Sequence, residues 1–151
     1  MEVQTSHFGL LDVPESELIR FPKGLPGFEE CTLFIMVSPE EDEPFSFLQS
    51  AQRMELVFVV ADPFLFYAEY DFELPHAALA ELNISSPEQV LIRGIISMGD
   101  DPAKTSINLV APIVVNTDAR IGKQVVLAAT QYKTRHPIFS NSSSGSVLKG
   151  G

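Results

Sequence analysis

Six short runs suited to β-strands fill the chain from Val3 to Ala61: VQT, FGLLDV, ELIRF, TLFIMV, FSFLQS and LVFVVA, none longer than six residues. They are separated by Pro14, by PKGLPG at 22–27, by SPEEDEP at 38–44 and by AQRME at 51–55. A helix of ordinary length needs about 10–12 residues of continuous periodicity, and these punctuated runs do not supply it. Their β-branched and aromatic side chains suit a pleated, half-buried surface. Strands at this spacing predict an all-β domain, a mainly antiparallel barrel-like fold or a sandwich.

The PKGLPG segment is the most rigid of the turns. Pro22 and Pro26 fix φ, and Gly24 and Gly27 are free to take positive φ, so little chain entropy remains to be lost on folding. Phe21 and Phe28 flank it as anchors. The turn chemistry predicts a rigid reversal that aligns two strands. The competing reading is a preformed loop that displays Leu25 to a partner. The segment lacks the GxxxxGK[ST] pattern and the following helix of a phosphate loop.

One region breaks the strand rhythm. In LPHAALAELNI, 74–84, Leu74, Ala78 and Leu82 share a helical face and Pro75 suits the first turn. SSPEQV, 85–90, offers Ser85 or Ser86 as a cap for one further helical turn. One or two short helices are therefore expected. Strands resume at QVLIRGIISM, 89–98. INLVAPIVVN, 107–116, reads as a strand that Pro112 interrupts, hence an edge strand or a bulge. TDARIG, 117–122, reads as a turn and KQVVLAATQY, 123–132, as the last strand. The β domain is expected over 1–139, with the Ser/Gly-rich stretch 140–151 a disordered tail.

Charge divides the chain. Residues 1–103 hold 19 acids and 4 bases, a net of −15, and residues 104–151 hold 1 acid and 6 bases, a net of +5. A surface so acidic opposes phosphate contact and excludes direct nucleic-acid binding as the expected function. It fits either solubility or a basic protein partner. EEDE at 40–43 is a solvated loop or a lure for such a partner. FVVADPFLFYAEYDFE, 58–73, interleaves aromatics with Asp62, Glu69, Asp71 and Glu73. Core packing accounts for part of these aromatics. The remainder, ringed by acids, have the composition of an interface.

The chemistry of catalysis is not assembled in this chain. It lacks a GxSxG elbow, its single cysteine, Cys31, lies in an apolar run, and its three histidines, His7, His76 and His136, are far apart. The expectation is a non-enzyme with no cofactor and no metal. No apolar run is long enough to cross a bilayer. MEVQTSHFGLLDV lacks a basic region followed by an apolar stretch, so no signal peptide is expected. Asn108 and Asn116, with Gln49 and Gln124, either satisfy backbone groups where strands end or, if exposed, suit an extended peptide.

Taken together, FPKGLPGFEE at 21–30, PFSFLQS at 44–50 and NLVAPIVVNTDARIGKQVVL at 108–127 resemble the signatures of the flagellar assembly factor family FliW. TSHFGLLDVPESELIRF near the N-terminus and YKTRHPI at 132–138 fit as well, so the resemblance covers about residues 1–138. Leu25 stands where isoleucine is usual, and Ser106-Ile107 replace a smaller pair. The resemblance implies a small cytoplasmic β-barrel, monomeric when free, that binds flagellin and the RNA-binding translational regulator CsrA. It implies a partner switch in which binding to CsrA relieves repression of flagellin translation. The alternative is a flagellin-holding chaperone with no RNA-regulatory partner. On the acidic segment, Glu69, Tyr70 and Asp71, with Asp100 and Asp101 nearby, are the expected CsrA contacts. Asn108, Pro112 and Asn116, along the expected edge strand, are the expected flagellin contacts, by strand addition or a helix in a groove.

Overall fold

The structure is a computed structural model that describes residues 1–39, 43–128 and 130–139. Most of the EEDE run and all of the 140–151 stretch lie outside the described residues. Eleven strands are present: β1 Glu2–Thr5, β2 Gly9–Asp12, β3 Ile19–Arg20, β4 Leu33–Val37, β5 Phe45–Ser50, β6 Val57–Ala61, β7 Val90–Ser97, β8 Ser106–Ile107, β9 Ile113–Asn116, β10 Ile121–Gln124 and β11 His136–Pro137. The helix α1 is His76–Glu81, with Pro75 at its N-cap.

Seven of these strands close on themselves. The order β3-β4-β5-β6-β7-β9-β10 returns to β3, giving a barrel that is antiparallel at every seam except β10–β3. That parallel seam is thin, with the single register pair Ile121↔Arg20 and a bond from Arg20 N–H to Arg120 O at 2.9 Å. The hairpin β1–β2 packs outside β4, burying Val3 and Val13 on Ile35. The expectation of an all-β, barrel-like fold with short helices holds.

Successive side chains on a strand face opposite sides, and the barrel uses both. Phe34, Leu48, Val60, Ile113 and Val115 point inward and form one fully buried cluster with Ile19, Phe21, Leu25 and Cys31. A barrel this small fills its interior with side chains. Each such Phe or Leu contributes about 1.5–3 kcal/mol by leaving water. Val114 points outward instead, into a second cluster with Ala78 and Leu82 of the α1 region, Val125 and Leu127.

The PKGLPG segment is a double turn. Gly24 N–H donates to Phe21 O at 2.8 Å, and Phe28 N–H donates to Leu25 O at 2.7 Å. Gly24 and Gly27 take φ of +63° and +87°. Leu25 is 1% exposed and belongs to the barrel core. The displayed-Leu25 reading is therefore overturned: the turn drives its leucine inward. Gly24 also has backbone atoms of Phe28 and Glu29 within 2.6 Å of where a Cβ would sit. At the thin seam, Gly122 lets the Phe21 ring lie against β10, since a Cβ there would meet the ring at 2.7 Å.

Two strand expectations change. Residues 106–116 are not an edge strand. They pair with β7 twice, through β8 and through β9, and loop out between them. Asn108 Oδ1 accepts from the N–H groups of Val110 and Ala111 and holds that bulge. The last strand is Ile121–Gln124, not 123–132. Val125 and Leu127 still donate to Pro112 O and Val110 O, but Pro112 has no N–H to return a bond, and regular pairing stops there.

Candidate functional site

The outer face of β7 carries an open groove. Val90 and Ile92 form its floor, Leu79 and Ile84 one wall, and the segment Tyr70–Leu74 the other. This groove has a volume of about 680 Å³ and is lined mainly by apolar side chains, with Asp71, Glu73 and His76 as its titratable rim. Phe64, 42% exposed, stands at one end, and Leu65 beside it is 65% exposed.

The turn that presents these two side chains is built locally. Asp62 Oδ1 accepts from Phe64 N–H at 3.0 Å, and Pro63 occupies the first position of a 3-10 turn over Pro63–Leu65. From there the chain runs back across the barrel through Tyr67 and Tyr70. Tyr70 is 5% exposed and its hydroxyl donates to Leu109 O at 2.7 Å. Its ring packs against Tyr132 at 4.8 Å and Phe72 at 5.0 Å between centroids. Burial, with Tyr132 second, pushes its phenol well above the ordinary range, so it stays a neutral donor. Tyr132 Oη in turn accepts from Asp71 N–H at 3.0 Å.

The carboxylates Glu69, Asp71 and Glu73 are exposed on alternate positions of the same segment, while Phe72 and Leu74 are half-buried in the clusters below. Glu69 and Asp71 are thus both exposed, with Glu73 beside them. The structure turns Tyr70 inward, where it braces the segment and presents no free face. Asp100 and Asp101 are exposed on the loop from β7 to β8. Asp101 Oδ1 accepts from Ala103 N–H at 3.0 Å, and among the described residues no hydrogen bond or ion pair joins either aspartate to residues 69–71.

The expected flagellin contacts fare differently. Pro112 and Asn116 are buried, and Asn108 is half-buried. Asn116 is 1% exposed. Its Nδ2 donates to Leu82 O and Asn83 O, and its Oδ1 accepts from the N–H groups of Asp118 and Ala119. This amide ties β9 to the end of α1 and caps the following turn. β9 is hydrogen-bonded on one side to β10 and on the other to β7, so no free edge exists there for strand addition.

A second, smaller cluster ties the double turn to α1. Lys23 Nζ lies 3.1 Å from a Glu81 carboxylate oxygen, and Lys123 bonds the other oxygen. The two ammonium groups, Lys123 first, hold the Glu81 carboxyl below its ordinary range. Leu79 and Ile84 were missing from the sequence reading of the site, and Phe64 stood there only as one of the aromatics of 58–73. The helical face read over 74–84 held Leu74, Ala78 and Leu82, and nothing local singled out Leu79.

The chain is thus a small closed β-barrel protein with an open, apolar, acid-rimmed groove on its outer face. The sequence model of the FliW protein family matches residues 2–138, and the chain belongs to that family of flagellar assembly factors. A flagellar assembly factor FliW of Desulfitobacterium hafniense is 39% identical over 153 residues, covering 100% of this chain and 99% of its own. One from Moorella thermoacetica is 39% identical over 143 residues, covering 94% and 90%. A crystal structure of the flagellar assembly factor FliW superposes with a TM-score of 0.88 at 35% identity, over 94% of this chain and 99% of that one.

Proposed function

We propose that this protein acts in the cytoplasm by binding flagellin and, alternatively, the RNA-binding regulator CsrA, and that occupying CsrA relieves its repression of flagellin translation. The observation that carries this reading is the exposed acidic segment Glu69, Asp71 and Glu73 along an apolar groove. Such a face complements a basic partner in charge and offers apolar area for affinity. Asp100 and Asp101, beyond the opposite end of β7 from the groove floor, are a second acidic spot open to the same partner. A carboxylate-rich protein docked beside an RNA-binding surface also repels phosphate without having to cover it. The Debye length is about 10 Å at 0.1 M salt, so this part of the effect weakens as salt rises.

Flagellin and CsrA exclude each other in this scheme, and the coupling between them is reciprocal. The free protein is a monomer. The test is a titration of the purified protein against CsrA at two salt concentrations, repeated with flagellin present. Salt-sensitive binding that flagellin abolishes is the expected result. Flagellin binding without any CsrA binding would overturn the partner switch and leave a flagellin-holding chaperone.

A further inference from the structure

The segment from Asp71 to Leu74 has an unusual backbone. It runs without turn or bend, and it belongs to no strand or helix. Among the described residues, no group bonds the backbone N–H of Phe72, Glu73 or Leu74, nor the carbonyls of Asp71 to Leu74. Polar main-chain groups in a folded protein are nearly always paired with protein or water. Here a row of them lies along an apolar groove, fixed at one end by Tyr132 and at the other by Pro75 and α1. Its side chains alternate as in a strand, with Phe72 and Leu74 half-buried and Asp71 and Glu73 exposed.

We infer that residues 71–74 are a docking strand, on which an extended segment of a basic protein partner pairs main chain to main chain while its apolar side chains enter the groove. The inference rests on the reading above in one respect, that the partner is the basic RNA-binding regulator. Charge selects that occupant: Asp71 and Glu73 line one side of the segment, Glu69 stands exposed in the turn just before it, and among the described residues His76 is the only basic-type side chain lining the groove. An acidic strand would be repelled, and lysine or arginine at alternate positions would face the three carboxylates. The seven barrel strands offer no equivalent place, because they close on one another; the free edges described are those of the β1–β2 hairpin and of the two-residue β11, neither of which borders the groove lining.

Hydrogen exchange measured at single residues, on the full chain with and without CsrA, tests this. In the free protein the amides of Phe72, Glu73 and Leu74 exchange rapidly. With CsrA bound, Glu73 or the pair Phe72 and Leu74 slows by at least about tenfold, alternate amides facing the same side of a strand. Leu79→Glu, which places a charge in the groove, abolishes both the binding and the protection. CsrA binding that leaves all three amides at their free rates would overturn the docking strand while the proposed function stands. Absence of CsrA binding by the unaltered protein would overturn both. Protection already present in the free protein would assign the segment to this chain itself or to a second copy, and would also overturn the proposal.

Discussion

On β7, alternation sends Leu91 into the barrel, against the cluster that holds Phe34 and Leu48, and Ile92 outward to the floor of the groove. The two residues are neighbours with the same chemistry, and they serve opposite ends. The inner face is sealed by the strands themselves and by the double turn that tucks Phe21 and Leu25 beneath it. The outer face is covered only in part, by the β1–β2 hairpin, α1, the 66–74 segment and residues 130–139. What remains uncovered is apolar, acid-rimmed and open. Stability therefore resides mainly inside the barrel, the proposed recognition face lies outside it, and mutation should separate the two.

The largest effect is expected inside. Phe21→Ala removes a ring that is 0% exposed and that packs the thin β10–β3 seam, so it should cost about 3–5 kcal/mol in urea unfolding. A loss below about 1 kcal/mol would mean the seam does not depend on this ring. Next comes the join between the two faces. Asn116→Ala strands the carbonyls of Leu82 and Asn83 and the N–H groups of Asp118 and Ala119, at about 2–3 kcal/mol. Asn116→Asp keeps the acceptor but not the donor, and should recover only part of that loss.

The smallest effect lies in the outer arm. His136 packs on Tyr67 and Tyr132, and its Nε2 accepts from Lys133 N–H at 2.9 Å, which requires a neutral ring. Burial, then Lys133, lower its pKa from the ordinary 6.5. The unfolded chain consequently binds the proton more readily than the folded one. Its contribution is complete above the unfolded value and is lost as pH falls through 6.5 toward the lowered folded value. The unfolding midpoint should decline over that window, and His136→Gln should flatten the decline. An unchanged slope in the variant would exclude His136 as its source.

The double turn was readable because proline and glycine act locally: φ is fixed or freed by the residue itself. The alternating runs gave the all-β class for the same reason, and the amides Asn108 and Asn116 were correctly suspected of satisfying backbone. Barrel closure was not readable. It depends on a two-residue strand, Ile19–Arg20, meeting β10 in parallel, and the alternation of a barrel strand is the same as that of an open sheet. Pro112 suggested an edge or a bulge, and the second holds: it lies in a bulge between two halves of one partner to β7. For the site, the sequence marked the acids Glu69 and Asp71, because exposed charge is its own signal. Tyr70 was marked with them and proved to be buried, since an aromatic among acids reads alike whether it faces water or core.

A titration of CsrA against the charge-reversed variant Asp71→Lys tests most directly whether recognition sits on the outer acidic face, apart from the barrel. Asp71 is exposed, and its backbone bond to Tyr132 does not involve its side chain. The unfolding free energy should stay within about 0.5 kcal/mol of the unaltered protein, while the affinity for CsrA falls by about tenfold or more. Full CsrA affinity in this variant would contradict the account.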